Sequence, residues 1–461
     1  MNNRHIIRVL CVFAFFAGMT LTVQAQANRT GYFLKGNSYN HRMNPAFQPD
    51  RGYLAVPVLG NTSLSLNTNL GVSDFIYPQG DALVTFMHPD VSADDFLSNL
   101  RENNNLKLNL DMTLFSLGFY AWGGYNTLDI GFHTNVGANV PKDLFRLMKD
   151  MGAENYVLDK FGARGRAYAD VAIGHSHKIG NELTFGARLK LLAGAAYAEV
   201  LMDRMELNMN GNRWQVHANG AATFCCMDME LLYDENGKFN GIGSNLNPGI
   251  SGLGIGADFG ITYDFSNLFA KGLILSASVN DINYMKWKSV SRAGIASDDP
   301  YTFNGFSEVS MNGEGNTLDK EFEAVGEDLG DLFALKQLEG GDYGDFMGAT
   351  LNVGLEYKMP FYDRLSVGAL FTQRFDNVYS YSHGSLVLNF SPLNFLDLAA
   401  SASVSTFGYD WGAMLNIHFP GFNVFAAADL YAGKVSKEKI PLDNLNAGVM
   451  FGVNIPFGKR R

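Results

Sequence analysis

The stretch Leu445-Asn446-Ala447-Gly448-Val449-Met450-Phe451-Gly452-Val453-Asn454-Ile455-Pro456-Phe457 decides the fold. Leu445, Ala447, Val449, Phe451, Val453, Ile455 and Phe457 share one parity, and Asn446, Gly448, Met450, Gly452 and Asn454 share the other. Side chains of a strand point alternately to its two faces, so this strand has one apolar and one polar face. The pattern recurs along the chain. Residues 182–199 alternate Leu183, Phe185, Ala187, Leu189 and Leu191 with Thr184, Gly186, Arg188 and Lys190. Residues 347–359 alternate Leu351, Val353, Leu355 and Tyr357 with Asn352, Gly354, Glu356 and Lys358. Many such strands in an exported chain predict an all-β, transmembrane antiparallel β-barrel, apolar outside and wet inside.

Composition fits that reading. Only 47% of residues are hydrophobic, as expected where half of each strand faces water, and 50 glycines, 35 phenylalanines and 20 tyrosines suit crowded lumens and interfacial girdles. Residues 1–25 read as a signal peptide: Arg4 and Arg8, an apolar run from Val9 to Gly18, and a small-x-small site at Val23-Gln24-Ala25. The mature chain then starts at Gln26 and is addressed to the cell outer membrane. No other segment has the roughly eighteen apolar residues of a membrane helix. A net charge of −11, with no basic run beyond Lys459-Arg460-Arg461, argues against nucleic acid as a partner. Two adjacent cysteines, Cys225 and Cys226, staple no framework.

Short turns organise the strands. Trp122-Gly123-Gly124, Ile179-Gly180-Asn181, residues 265–271, Pro360-Phe361-Tyr362, Ser391-Pro392-Leu393-Asn394 and Pro420-Gly421 belong at the periplasmic end, and long loops at the other. The strands that follow are 61–70, 108–121, 125–136, 166–178, 182–199, 252–264, 272–287, 347–359, 363–375, 379–391, 395–405, 410–419, 422–433 and 446–457, about fourteen in all. Residues 108–121 change phase between Leu114 and Phe115, which predicts a bulge. Long extracellular loops carry helical spacing at Lys142 to Met151 and at 317–338, and a hairpin over 205–219 turning at Asn210-Gly211. Residues 61–457 thus form the barrel. Residues 26–60, too irregular for a lipid-facing strand, either plug the lumen or hang in the periplasm, and 52–59 as a further strand would make the count odd.

Charges at mid-strand cost about 2–4 kcal/mol toward lipid. Arg188, Lys190, Glu356 and Lys358 are therefore predicted to line the lumen, where they would border a path, salt-bridge a plug or hold the barrel in shape. No metal, cofactor or catalytic set is expected. His175 and His177 share a face with Val171 and Ile173 at the interface and find no third ligand. Gly252-x-Gly254-x-Gly256 lacks the strand–turn–helix setting of a nucleotide loop. His133 and His418 point inward without a nucleophile signature, and Glu321, Glu323, Glu327, Asp328 and Asp331 lack calcium-loop spacing. The chain is read as no enzyme.

Asn44-Pro45-Ala46, before the first strand, resembles the Asn-Pro-Ala motif of long-chain fatty-acid transporter (FadL-like) barrels. The resemblance implies fourteen strands, an N-terminal hatch holding Asn44, Pro45 and Ala46, and a small hydrophobic ligand. The mature chain also resembles an uncharacterised outer-membrane barrel family of unknown function. The matching stretches are Arg42 to Phe47, Tyr168 to Leu192, Asn247-Pro248-Gly249 and Phe451 to Gly458. Two functions fit: a channel or transporter for a small or hydrophobic molecule, or a docking barrel whose extracellular loops hold a surface or secretion partner. Outer-membrane lipid surrounds the barrel in both.

Overall fold

The computed structural model describes residues 29–79, 82–149, 155–210, 213–226, 229–233, 235, 239–244, 249–268, 270–295, 300–301, 335–432 and 445–459. The expected signal peptide lies outside the described residues. The wall is built from β1 (Gly52–Ala55 and Thr62–Thr68), β2 (Asn103–Ala121), β3 (Gly124–Pro141), β4 (Tyr156–Ile179), β5 (Leu183–Asn210), β6 (Gly252–Asp264) and β7 (Leu273–Ile295). It continues through β8 (Ala349–Lys358), β9 (Leu365–Phe375), β10 (Tyr381–Leu393), β11 (Leu396–Ser405), β12 (Gly408–Phe419), β13 (Phe422–Ala432) and β14 (Leu445–Phe457). Each strand pairs antiparallel with the next. β14 pairs back with β1, from Gly52↔Phe457 to Thr68↔Leu445, and closes the ring. The protein is a fourteen-stranded transmembrane β-barrel.

β1 settles the odd-count problem. Its two pieces sit end to end in one slot between β2 and β14, so residues 52–55 add no strand to the count. The interruption at residues 56–61 is clamped by two backbone bonds, Val56 N–H to Val453 and Val453 N–H to Leu59. Val58, at φ 66°, and Leu59 face outward there. The neighbouring strand slips register between Thr113 and Phe115, the bulge expected at Leu114.

Side-chain parity divides the two solvents. Leu191, Ile255, Leu386 and Trp411 stand on the outer surface, 65–68% exposed. Their neighbours Arg188, Lys190, Ser385, Asp410 and Asn416 are buried inside. Trp122, Phe361, Phe395, Phe419, Phe422 and Phe457 crowd the short-turn end, the composition of an interfacial girdle.

The wall is uneven in height. β4, β5 and β7 have 24, 28 and 23 residues, whereas a crossing takes about 9–11. The surplus rises at the long-loop, extracellular end. Two more strands fill the slots above shorter neighbours. Arg213–Cys226 pairs with upper β5 and upper β7 above β6, and Leu335–Phe346 pairs with upper β7 above β8. The hairpin expected near Asn210 is therefore the tip of a wall strand, with 211–212 outside the described residues. The helix expected over 317–338 fails at its end, because 335–338 are strand held by the β7 ladder; 317–334 lie outside the described residues. Helix α1 (Ala93–Asn99), which periodicity missed, is capped by Ser92, and α2 (Lys142–Lys149) matches its expected start. α2 is wedged between two clusters: Leu147 meets Leu158, Phe161 and Met205 of the raised wall, and Phe145 meets Phe75 and Phe96. The turn expected at 391–394 shifts to Asn394-Phe395, since Leu393 still pairs with Leu396.

Leu189→Arg puts a charge on the lipid face and should destabilise the barrel by about 2–4 kcal/mol in reversible unfolding from lipid vesicles. Val404→Thr, far up the wall, should cost much less in the same titration.

Candidate functional site

Residues 29–51 lie inside the barrel. The segment is a chain of tight turns with a 3-10 turn at Asn40–Arg42, and its backbone bonds are largely local. It enters where the wall has no side chains. A Cβ on Gly186 would stand 2.1 Å from the Pro45 carbonyl oxygen, and one on Gly260 2.1 Å from Asn44 Oδ1. Asn44 is fully buried. Its Nδ2 donates to the Ile261 and Ala277 carbonyls of the wall at 3.4 and 3.3 Å, and its Oδ1 accepts from Ala46 N at 2.9 Å. Asn44, Pro45 and Ala46 thus form a tight asparagine turn seated on β5, β6 and β7. The seat glycine Gly260 shares the parity of Gly252, Gly254 and Gly256, which themselves lie against Trp287, Met285 and Asn283 instead. Beside it Tyr32 and Phe33 pack on Leu370 and Val387. Met43 O accepts from Ser278 Oγ at 2.6 Å and from Asn352 Nδ2 at 3.1 Å.

An ion-pair web anchors the middle of the segment. Asp129 of β3, 1% exposed, takes four donors or partners: Ser116 Oγ at 2.6 Å, Arg188 Nη2 at 2.8 Å, His41 Nε2 at 3.2 Å and Arg42 Nη2 at 3.4 Å. Arg188 also holds Asp258 at 2.9 Å, the residue directly opposite it on β6. Lys190 Nζ lies 2.7 Å from both Asp258 and Asp281. Every carboxylate in this web has a cation, which offsets the large cost of burying it.

The segment separates two cavities. The upper one, about 280 Å³, is lined by Arg29, Arg42 and Met43 from the segment and by Lys107, Arg188, Lys190 and Arg374 from the wall. Asp111, Asp170, Asp281 and Asp376 line it too, and only a few apolar side chains do, Leu192 and Tyr168 among them. His133 sits in this wall with Nδ1 2.6 Å from Asp111 and Nε2 2.9 Å from Asp170, its ring stacked on Tyr168. The lower cavity, about 400 Å³, opens near the short turns and is lined by Lys35, Ser38, Arg51, His418 and Asn423. Lys35, Asp50 and Arg51 bound it from the segment side.

The four lumen candidates therefore part company. Arg188 and Lys190 belong to the upper cavity. Glu356, which accepts from Ser366 Oγ at 2.7 Å, and Lys358 line a smaller periplasmic cavity of about 210 Å³ with Lys35 and Arg364. Asp129, Asp258, Lys107, Arg374 and Tyr381 escaped the reading of the chain. Asp258 had a signal, since it shares the parity of Gly254, Gly256 and Gly260 and so faces inward. Lys107 had none, because it falls just before the expected start of its strand. His175 and His177 face outward with Val171 and Ile173, their rings 5.9 Å apart. Among the described residues no group of three metal-ligating side chains forms.

Asp129→Ala leaves Arg188 and Arg42 short of a buried partner. It should destabilise the barrel by about 3–5 kcal/mol and speed hydrogen exchange across residues 38–44 ahead of the wall strands. Gly186→Val should expel residues 44–46 from their seat, read as new protease cleavage in that segment with the wall intact.

The chain is similar to several solved outer-membrane barrels. It is 12% identical to the Pseudomonas putida toluene transporter TodX, with a TM-score of 0.41 over 91% of this chain and 93% of that one. It is 10% identical to the Ralstonia pickettii toluene transporter TbuX, with a TM-score of 0.43 over 94% and 98%. It is also 10% identical to the CymD monoaromatic hydrocarbon channel, with a TM-score of 0.46 over 96% and 100%. No curated protein matches the sequence. The model of a family of unknown function, DUF5723, matches residues 45–429, most of the wall together with the Pro45-Ala46 seat, and the chain belongs to that family.

Proposed function

We propose that the protein is an outer-membrane transport barrel in which residues 29–51 act as a displaceable plug, and that its cargo is a small polar molecule. The observation that carries this reading is the pair of cavities on the two sides of one segment, 280 Å³ above and 400 Å³ below. Moving that segment aside joins them into one passage. The grip on the segment also suits a part that moves. It is held by turns, hydrogen bonds and ion pairs to the wall, and its apolar anchors are confined to Tyr32, Phe33 and Tyr39 with their neighbours. Such polar contacts are exchangeable with water at modest net cost. Charged walls favour a water-soluble cargo. A hydrocarbon crossing the upper cavity would have to desolvate Arg42, Lys107, Asp111 and Asp281 without returning any hydrogen bond.

The raised wall supports a second role. β4, β5 and β7 with their added strands present a β-surface beyond the membrane that transport through the lumen does not require. A partner there would be recovered by crosslinking in intact cells.

Deleting residues 29–51 should raise single-channel conductance from near zero to a steady open level in planar bilayers, while full-length protein shows rare openings. Equal, negligible conductance in both would overturn the plug.

A further inference from the structure

We infer that the upper cavity contains a binding site for a small monocarboxylate, built by Lys107, Arg29 and Tyr381. Lys107 Nζ lies 3.8 Å from the centre of the Tyr381 ring. The Arg29 guanidinium approaches the same ring at 5.5 Å and donates to its hydroxyl oxygen at 3.0 Å. Two cations from different parts of the chain, one on the wall and one on the internal segment, thus converge on one phenol at the edge of a wet cavity.

Lys107 differs from the other wall cations there. Arg188, Lys190 and Arg374 each have a carboxylate within 4.0 Å. Among the described residues, Lys107 has none. Its cross-strand neighbours are Asn67 on β1 and Gly137 on β3, so the ladder supplies no acid. A ring face holds a cation less strongly than a carboxylate does, and a charge-assisted pair is the better partner for this half-buried lysine. An entering carboxylate would take the ammonium of Lys107, with the Arg29 charge beside it on the same phenol.

The rest of the wall narrows the class. Asp111 and Asp281 keep 41% and 44% of their side chains open in this same cavity. Both are already paired, with His133 and Lys190, so among the described wall cations of the cavity Lys107 alone is left to match a charge, which suits a single carboxylate over phosphate or a dicarboxylate. Met43 and Leu192 give a short hydrocarbon portion a surface to rest on. That the bound anion is also the cargo rests on the transport reading above; the binding site itself does not.

The test is calorimetric titration of the detergent-solubilised full chain at constant ionic strength with propionate, its neutral counterpart propionamide, and inorganic phosphate. Propionate should saturate while propionamide and phosphate do not. Lys107→Met should weaken propionate at least about tenfold, and Lys107→Arg should stay within about threefold. Arg29→Gln, on the internal segment rather than the wall, should weaken it as well and serves if Lys107→Met does not fold. Equal heats from propionamide, tighter phosphate binding, or unchanged affinity in both charge-removing variants would overturn the site. Propionate binding without vesicle uptake would leave the site standing and remove transport; uptake of other solutes without propionate binding would do the reverse.

Discussion

Closure of the hydrogen-bonded ring is the constraint on which the molecule depends. Hydrocarbon offers no partner to a bare N–H or C=O, so a sheet can cross it only when its first and last strands meet. Here that seam is β1 against β14. β1 makes it in two pieces, with the clamp at Val453 carrying the chain across the interruption. Once the ring is shut, alternation does the rest. Each strand sends half of its side chains to lipid and the other half to a confined, wet interior, where charges must find one another.

The interior shows how that demand is met. Arg188 and Asp258 face each other across one ladder step, and Asp111 and His133 across another. Diagonal partners complete the web, as Asp170 does for His133 and Asp258 for Lys190, and Asp281 reaches Lys190 from two strands away. Such pairing gives little net stability against an apolar alternative, because each charge has lost its water. It gives shape and position: Asp129 fixes His41 and Arg42 of the internal segment relative to the wall strand that carries Arg188.

Wall architecture was legible in the chain because period-two alternation and short turns are local signals. The inward orientation of Arg188, Lys190 and Glu356 follows from the same parity. What could not be read is long-range. Asn44 finds its place only when Gly186 and Gly260, far along the chain, leave an empty floor together. The Lys107–Tyr381 contact joins β2 to β10, and no spacing rule connects residues 274 apart in sequence, the difference between 381 and 107. The failed helix at 335–338 illustrates the converse. The helical spacing expected to run through 338 gives way over 335–338 to a ladder edge on β7, where tertiary hydrogen bonds outweigh local preference.

The unequal strand lengths have a further consequence for approach to the molecule. A 28-residue strand such as β5 is roughly 90 Å long at about 3.3 Å per residue. Inclined at about 45°, it rises roughly 65 Å, against an apolar band of about 25 Å. On the flank formed by β4, β5 and β7 the rim therefore stands tens of ångströms clear of the bilayer surface, like a chimney cut lower on the side of β9 to β12. Solutes descend into it from bulk water, and molecules skating along the headgroups meet a tall parapet on one side and a low sill on the other.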